Sequence, residues 1–311
     1  MRIFTNAADV LDLPRPTNLF LLEPYIPRGC IILLYGYAGI GKTATAWTMA
    51  HAIQRGVPLW GLPVTRGNVL FIEVDTPTTG IQERWGQADI PFRPSFSLAV
   101  DYIGFDCLQF LSSYPDTRHR EIKELFSQAH EERGFDLVIV DAIRKVINGD
   151  LSTSGIPDKV YDAFKAMFPG AAILFIHHER KMRTDPGGNY IDPKQNASGN
   201  MEFINMAQVA LQFYRRGKET FLAHRKSQLT VEFADLPISL ADDGIFVYNR
   251  EEAKLQAVRR ILAGTPPNLN MRDLDKLVAK ELNISERSAR SFRLGAQKHG
   301  EHEINTNTKM V

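Results

Sequence analysis

The chain has 311 residues, 44 % of them apolar, a length that allows two domains or one α/β domain with a smaller appendage. Its 37 Lys plus Arg against 36 Asp plus Glu give a formal net charge of +1, which excludes a uniformly basic coat protein, an acidic tail or a polybasic membrane binder but not local basic surfaces. Cys30 and Cys107 are the two cysteines, too few and too far apart for a disulfide framework or a cysteine-based zinc site. The N-terminal residues lack a signal-peptide core, and no apolar run approaches the ~18 residues of a membrane span, so a soluble cytoplasmic protein is expected.

In chain order, short apolar runs at Cys30 to Tyr35, Asn68 to Val74, Asp136 to Val140 and Ala171 to Ile176 predict buried parallel strands. Ala44 to Ile53, Arg118 to Glu132 and Pro157 to Phe168 have helical period and supply the crossovers, giving a doubly wound α/β layer. Residues 180–200, RKMRTDPGGNYIDPKQNASGN, predict a long loop, and loops of that length are functional or mobile. Alternating segments then follow at Gln208 to Tyr214, Thr220 to His224, Thr230 to Phe233 and Gly244 to Tyr248, predicting antiparallel strands added to the same sheet. After Arg250 the chain turns charged and helical, with GTPPN at residues 264–268 as a breaker. Two domains are expected, residues 1–250 and 251–311.

The strongest motif is GYAGIGKT, comprising Gly36, Tyr37, Ala38, Gly39, Ile40, Gly41, Lys42 and Thr43, set between a predicted strand and a predicted helix that opens near Ala44. The glycines let successive N–H groups turn inward onto phosphate oxygens, and the helix adds its positive end. Lys42 would reach the β and γ phosphates and Thr43 would bind Mg²⁺, implying ATP with Mg²⁺ as the bound species. A second carboxylate is expected at a neighbouring strand end, and FDLVIVD supplies Asp141 as the metal-site aspartate. Hydrolysis also needs a carboxylate to polarise water. NVLFIEVDTP offers Glu73 and Asp75, placed on one strand face by alternation; Asp75 stands at the carboxyl mouth, where open α/β sheets hold ligands, and Glu73 one pleat deeper. AAILFIHH ends in His177 and His178. Adjacent strand residues face opposite ways and no further ligand stands at metal spacing, so a sensor of the γ-phosphate is read instead of a metal pair.

Taken together, PYIPRGCIILLYGYAGIGKT, FIEVDTP, DLVIVDAIRK, ILFIHH and KQNASGN resemble RecA-fold ATPases and, within them, the plasmid RepA-type hexameric replicative helicases, over about residues 20–235. That resemblance implies a RecA-like P-loop NTPase fold and an ATP-driven DNA helicase. It implies roles for His178 as the sensor leading into a DNA-binding loop and for Arg84 as an arginine near the phosphates. Asp75 stands where the family usually has Glu. The family's arginine finger falls in the stretch NMAQVALQF, which has no arginine, leaving Arg215, Arg216, Arg225 and Lys226 as trans-acting candidates. A trans-acting residue implies a homo-oligomer, a hexameric ring, whose channel would be lined by residues 180–200. Arg180, Lys181, Arg183 and Lys194 would there grip single-stranded DNA by its phosphates.

Residues 251–311 carry 11 Lys plus Arg and 8 Asp plus Glu, a balance of +3 that leaves −2 for the remainder. Within them MRDLDKLVAKELNISERSARSFRLGAQKHG reads as helix, turn, helix with Ser285 as N-cap, and VAKELNIS resembles a helix-turn-helix of the LAxxLGVS type, with residues 301–311 as a short wing. Arg287, Arg290 and Arg293 recur at helical spacing and are expected to meet duplex DNA; protein contact is the other use of such a fold. Two further function classes stay open beside the helicase: a RecA-like recombinase or strand-annealing protein forming ATP-controlled filaments, and an ATP-switched replication initiator or regulator.

Overall fold

The computed structural model describes residues 18–85, 96–99, 106–148, 150–151, 153–178, 201–216, 219–229, 233–240, 246–248, 254, 258, 261–262, 270–282 and 284–294. The chain divides into two compact units, residues 1–235 with 240–246, and residues 236–239 with 247–311.

In the first unit a small antiparallel pair, β1 (Phe20–Leu22) and β2 (Ile26–Pro27), precedes the main sheet. The sheet is built from β3 (Ile31–Gly36), β4 (Val69–Glu73), β5 (Ser97–Ala99), β6 (Leu137–Asp141), β7 (Ala172–His178), β8 (Val209–Arg216) and β9 (Glu219–Ser227), in the order β9-β8-β3-β7-β6-β4-β5. Every pair from β5 across to β8 is parallel. Helices α1 (Lys42–Arg55), α2 (Thr78–Trp85), α3 (Thr117–Arg133) and α4 (Ile156–Met167) supply the crossovers expected between parallel strands. The fold is that of a RecA-like P-loop NTPase: a mainly parallel α/β sheet with antiparallel pairing at its edge.

One expectation is corrected. Alternation at Gln208 to Tyr214 predicts an antiparallel addition, but β8 pairs in parallel with β3, and antiparallel pairing begins only between β8 and β9. The intervening residues 179–206, which end in the short helix α5 (Glu202–Met206), are long enough for a parallel crossover. Strands β10 (Leu236–Leu240) and β11 (Phe246–Tyr248) follow where the chain passes between its units. The strand expected at Thr230 to Phe233 falls largely outside the described residues.

Continuous apolar runs pack both sheet faces. Tyr161, Phe164, Phe168, Phe175 and Phe203 form one aromatic core, and Trp47, Phe71 and Phe96 pack together in another cluster. Each large apolar side chain so buried contributes about 1.5–3 kcal/mol relative to exposure. Register then fixes the upper rim: Gly36 is paired with His178 across β3 and β7, and Glu73 with Asp141 across β4 and β6. Among the described residues no helix is long and apolar enough to cross a membrane.

In the second unit, α6 (Met271–Leu282) begins after Asn270, whose side-chain oxygen accepts from the Asp273 amide at 2.9 Å. Residues 284–285 are not helical, and 286–294 form α7. Ser285 caps α7, its Oγ accepting from the Ser288 amide at 3.2 Å. Val258, Val278 and Ala289 are wholly buried and make this unit's core.

Candidate active site

The loop between β3 and α1 is shaped by its glycines. Gly39 and Gly41 have φ of 73° and 107°, the left-handed region that side chains with a Cβ rarely adopt. A Cβ on Gly36 would stand 2.2 Å from the Phe213 carbonyl oxygen, so β3 passes β8 only as glycine there. Helix α1 has no side-chain cap and no acidic residue in its first turn. Its first amides are therefore available to an anion, with the helix dipole adding attraction. Lys42 is 5 % exposed; its ammonium donates to Gly36 O at 2.9 Å and Tyr37 O at 2.7 Å, which holds the charge over the loop.

Opposite the loop, the Thr43 hydroxyl donates to Asp141 Oδ2 at 2.6 Å. A hydroxyl and a carboxylate on one wall suit Mg²⁺, which takes few protein oxygens and keeps water and phosphate ligands. Among the described residues there is no cluster of three or more His, Cys, Asp or Glu that could hold a metal by protein ligands alone. Gly39, Gly41, Lys42, Thr43, Asp75, Asp141 and His178 line one cleft of about 350 Å³.

The two acidic candidates part company. Strand β4 ends at Glu73, so the alternation that put Glu73 and Asp75 on one face does not extend to Asp75. Glu73 is 1 % exposed, and its Oε1 accepts from the amides of Asp75 at 3.1 Å and Thr76 at 2.9 Å. The expectation of Glu73 as a water-activating carboxylate is thereby corrected: it braces the turn from below and does not line the cleft, whereas Asp75 does. Asp75 is half-exposed and lies 3.5 Å from Lys145 Nζ, a surface pair worth about 0–1 kcal/mol. Lys145 was not identified from sequence; its signal is its place four residues after Asp141 in DAIRK.

Burial first, and the neighbouring Asp141 charge second, raise the Glu73 carboxyl to about 7. A carboxyl whose pKa is raised by folding stabilises the native state below its unfolded value near 4.5 and loses that stabilisation as pH rises through about 7. Glu73→Gln in the nucleotide-free protein without Mg²⁺ is therefore expected to flatten the fall in stability between about pH 5 and pH 8, a change of about 2 kcal/mol. Urea titrations at both pH values measure it, and an unchanged pH dependence would rule the buried carboxyl out as its source.

His178 Nδ1 lies 3.5 Å from Lys42 Nζ. Burial, and then Lys42, lower the imidazole's pKa against a smaller opposing effect of Asp75, so the ring is neutral at pH 7. An ammonium can only donate, which assigns Nδ1 as the bare nitrogen and leaves Nε2 as an N–H donor. His177 points the other way, is 1 % exposed and packs against Phe203.

Further candidates are dispersed. Arg84 lies on α2, with its side chain outside the described residues, as are Arg180, Lys181, Arg183 and Lys194. Arg215 is exposed on β8, and the side chain of Arg216 is outside the described residues. Arg225 and Lys226, two of the candidates for acting in trans, are both engaged within their own chain. Arg225 donates to Gln212 Oε1 at 2.8 Å, lies 3.5 Å from Asp235 and covers the Tyr214 ring. Lys226 donates to the carbonyls of Asn205 and of Ala207 (2.7 Å), at the C-terminal end of α5, where a cation is favoured. In the second unit Arg287 and Arg290 are exposed. Arg293, expected beside them, is instead 5 % exposed and held by Asp275 at 2.6 Å. Three-residue steps on a helix drift by about 60° each, which carries the third arginine off the outer face.

Residues 2–184 match the family model described as an AAA domain. Among solved structures, the KaiC-like protein PH0186 from the hyperthermophilic archaeon Pyrococcus horikoshii OT3 is similar at 14 % identity and a TM-score of 0.46, over 75 % of this chain and 96 % of that one. No curated protein matches the chain.

Proposed function

Because the chain belongs to the AAA domain family and carries a P-loop ATPase site, we propose that it uses ATP hydrolysis to move along DNA as a ring-forming helicase of plasmid or phage replication type. The observation that carries the ATPase part is the convergence of Lys42, Thr43, Asp141 and Asp75 on one cleft. Thr43 and Asp141 would hold Mg²⁺ there, which when bound would supply positive charge to offset that of the phosphates. The chain's own groups do the rest. Amides of the Gly39 to Thr43 turn and Lys42 bind and orient phosphates, Asp75 accepts a proton from an attacking water, and His178 offers Nε2–H to a phosphate oxygen.

The DNA part is supported by sequence order. Residues 179–200, with four basic side chains, follow His178 directly, so a group that feels the phosphate adjoins the segment expected to hold the strand. Single-stranded DNA with ATP is expected to raise turnover about tenfold or more and to yield closed rings in electron micrographs. A turnover indifferent to DNA would overturn the motor. Filaments would transfer the reading to a recombinase or strand-annealing protein. A second reading, the ATP-switched regulator, is favoured by the basic surface of the second unit, and predicts duplex affinity that changes with nucleotide.

A further inference from the structure

The helices α6 and α7 enclose a concavity of about 500 Å³ lined by Met271, Arg272, Asp275, Glu286, Arg287, Arg290 and Arg293. Its charges are not equivalent. Arg293 meets Asp275 through two bonds, Nε to Oδ1 at 2.6 Å and an Nη to Oδ2 at 3.4 Å, and the pair is largely buried, so these two charges cancel and brace the floor. Arg272, Arg287 and Arg290 are exposed. Among the described residues no side-chain hydrogen bond or ion pair engages them. Glu286 offsets one of the three, leaving the mouth positive.

We infer that Arg272, Arg287 and Arg290 form a phosphate-binding site for the backbone of duplex DNA, with Arg293 as the strut that holds the two helices in place. Sequence reading put all the contacts on one helix; the structure brings in Arg272 from the other and withdraws Arg293. Guanidinium forks match phosphate oxygens in pairs, and the site sits between the first turns of α6 and α7, whose dipoles favour an anion. Arg287 and Arg290 lie one turn apart, on adjacent faces of α7, and Arg272 supplies a third contact from a different direction, an arrangement suited to an extended polyanion. Contacts of this kind position a protein without reading bases. The inference rests on the DNA-binding part of the proposed function and refines it for the second unit.

The test uses the full chain and fluorescence-labelled duplexes of two unrelated sequences, titrated over a salt series. Each of Arg272→Ala, Arg287→Ala and Arg290→Ala is expected to reduce the slope of log affinity on log salt by about one unit, equally for both sequences. The triple variant should lose about 2.7, and the three Arg→Lys variants should keep the slope. Unchanged slopes in the alanine variants overturn the site, as does a poly-glutamate peptide that binds as tightly as duplex, which would indicate a protein partner. DNA-stimulated ATPase measured alongside separates the cases: stimulation retained with unchanged slopes removes this site alone, while loss of both DNA binding and stimulation in the wild-type chain removes the motor as well.

Discussion

Lys42→Met is expected to lower ATP turnover by at least about 10²-fold, the scale of losing one charged stabiliser of a developing anion. The substitution keeps most of the side-chain stem, so packing at this buried position survives. What it removes is the ammonium that donates to the Gly36 and Tyr37 carbonyls, a cost to stability of about 1 kcal/mol per bond, while taking away the cation beside His178. Steady-state phosphate release measures the first effect and thermal unfolding the second. Turnover within a few-fold of wild type would end the assignment of this cleft as the hydrolytic site.

The second large effect separates two carboxylates that lie two residues apart. Asp75→Asn should reduce turnover by about 10²- to 10⁴-fold, the range of a positioned general base, with nucleotide affinity changed little because Lys42, Thr43 and the loop amides are intact. Glu73→Gln, by contrast, keeps a side-chain oxygen for the Asp75 and Thr76 amides, and turnover should stay within about threefold. Glu73→Ala removes that acceptor and should cost about tenfold by misplacing Asp75. Single-turnover hydrolysis with a parallel nucleotide-binding assay distinguishes them. A dead Glu73→Gln beside an active Asp75→Asn would exchange the two roles.

Where the chemistry is carried by the backbone's regular features, it was legible in the sequence. Continuous Ile, Val, Leu and Phe runs mark β3, β4, β6 and β7 because a parallel sheet covered on both faces has no polar side, and Asp141 stood out as a carboxylate ending such a run. The glycines of the loop are readable because few other residues adopt their backbone angles. Glu73 was not readable as a brace. Alternation is valid only while the strand lasts, and no pattern in NVLFIEVDTP announces that it stops at Glu73 or that the carboxylate folds back onto its own turn. Arg293 was misread for a related reason: spacing by three marks a helix face only over a short distance. Arg272 was overlooked since it lies on the other helix, and proximity between helices is a property of packing. The commitments of Arg225 to Gln212 and Asp235, and of Lys226 to the end of α5, likewise depend on contacts distant in sequence.

The pairing of Gly36 with His178 and of Glu73 with Asp141 makes the rim of the sheet a ruler for length as well as for identity. Side-chain direction reverses with each residue along a strand. An inserted or deleted residue in β3, β4, β6 or β7 would thus turn to the opposite face, respectively, the entry to the glycine loop, the turn that carries Asp75, Asp141 or His178, however well the new residue packed. Within these strands one apolar side chain can replace another of similar volume, but a residue can be neither added nor lost without turning the rim away from the cleft.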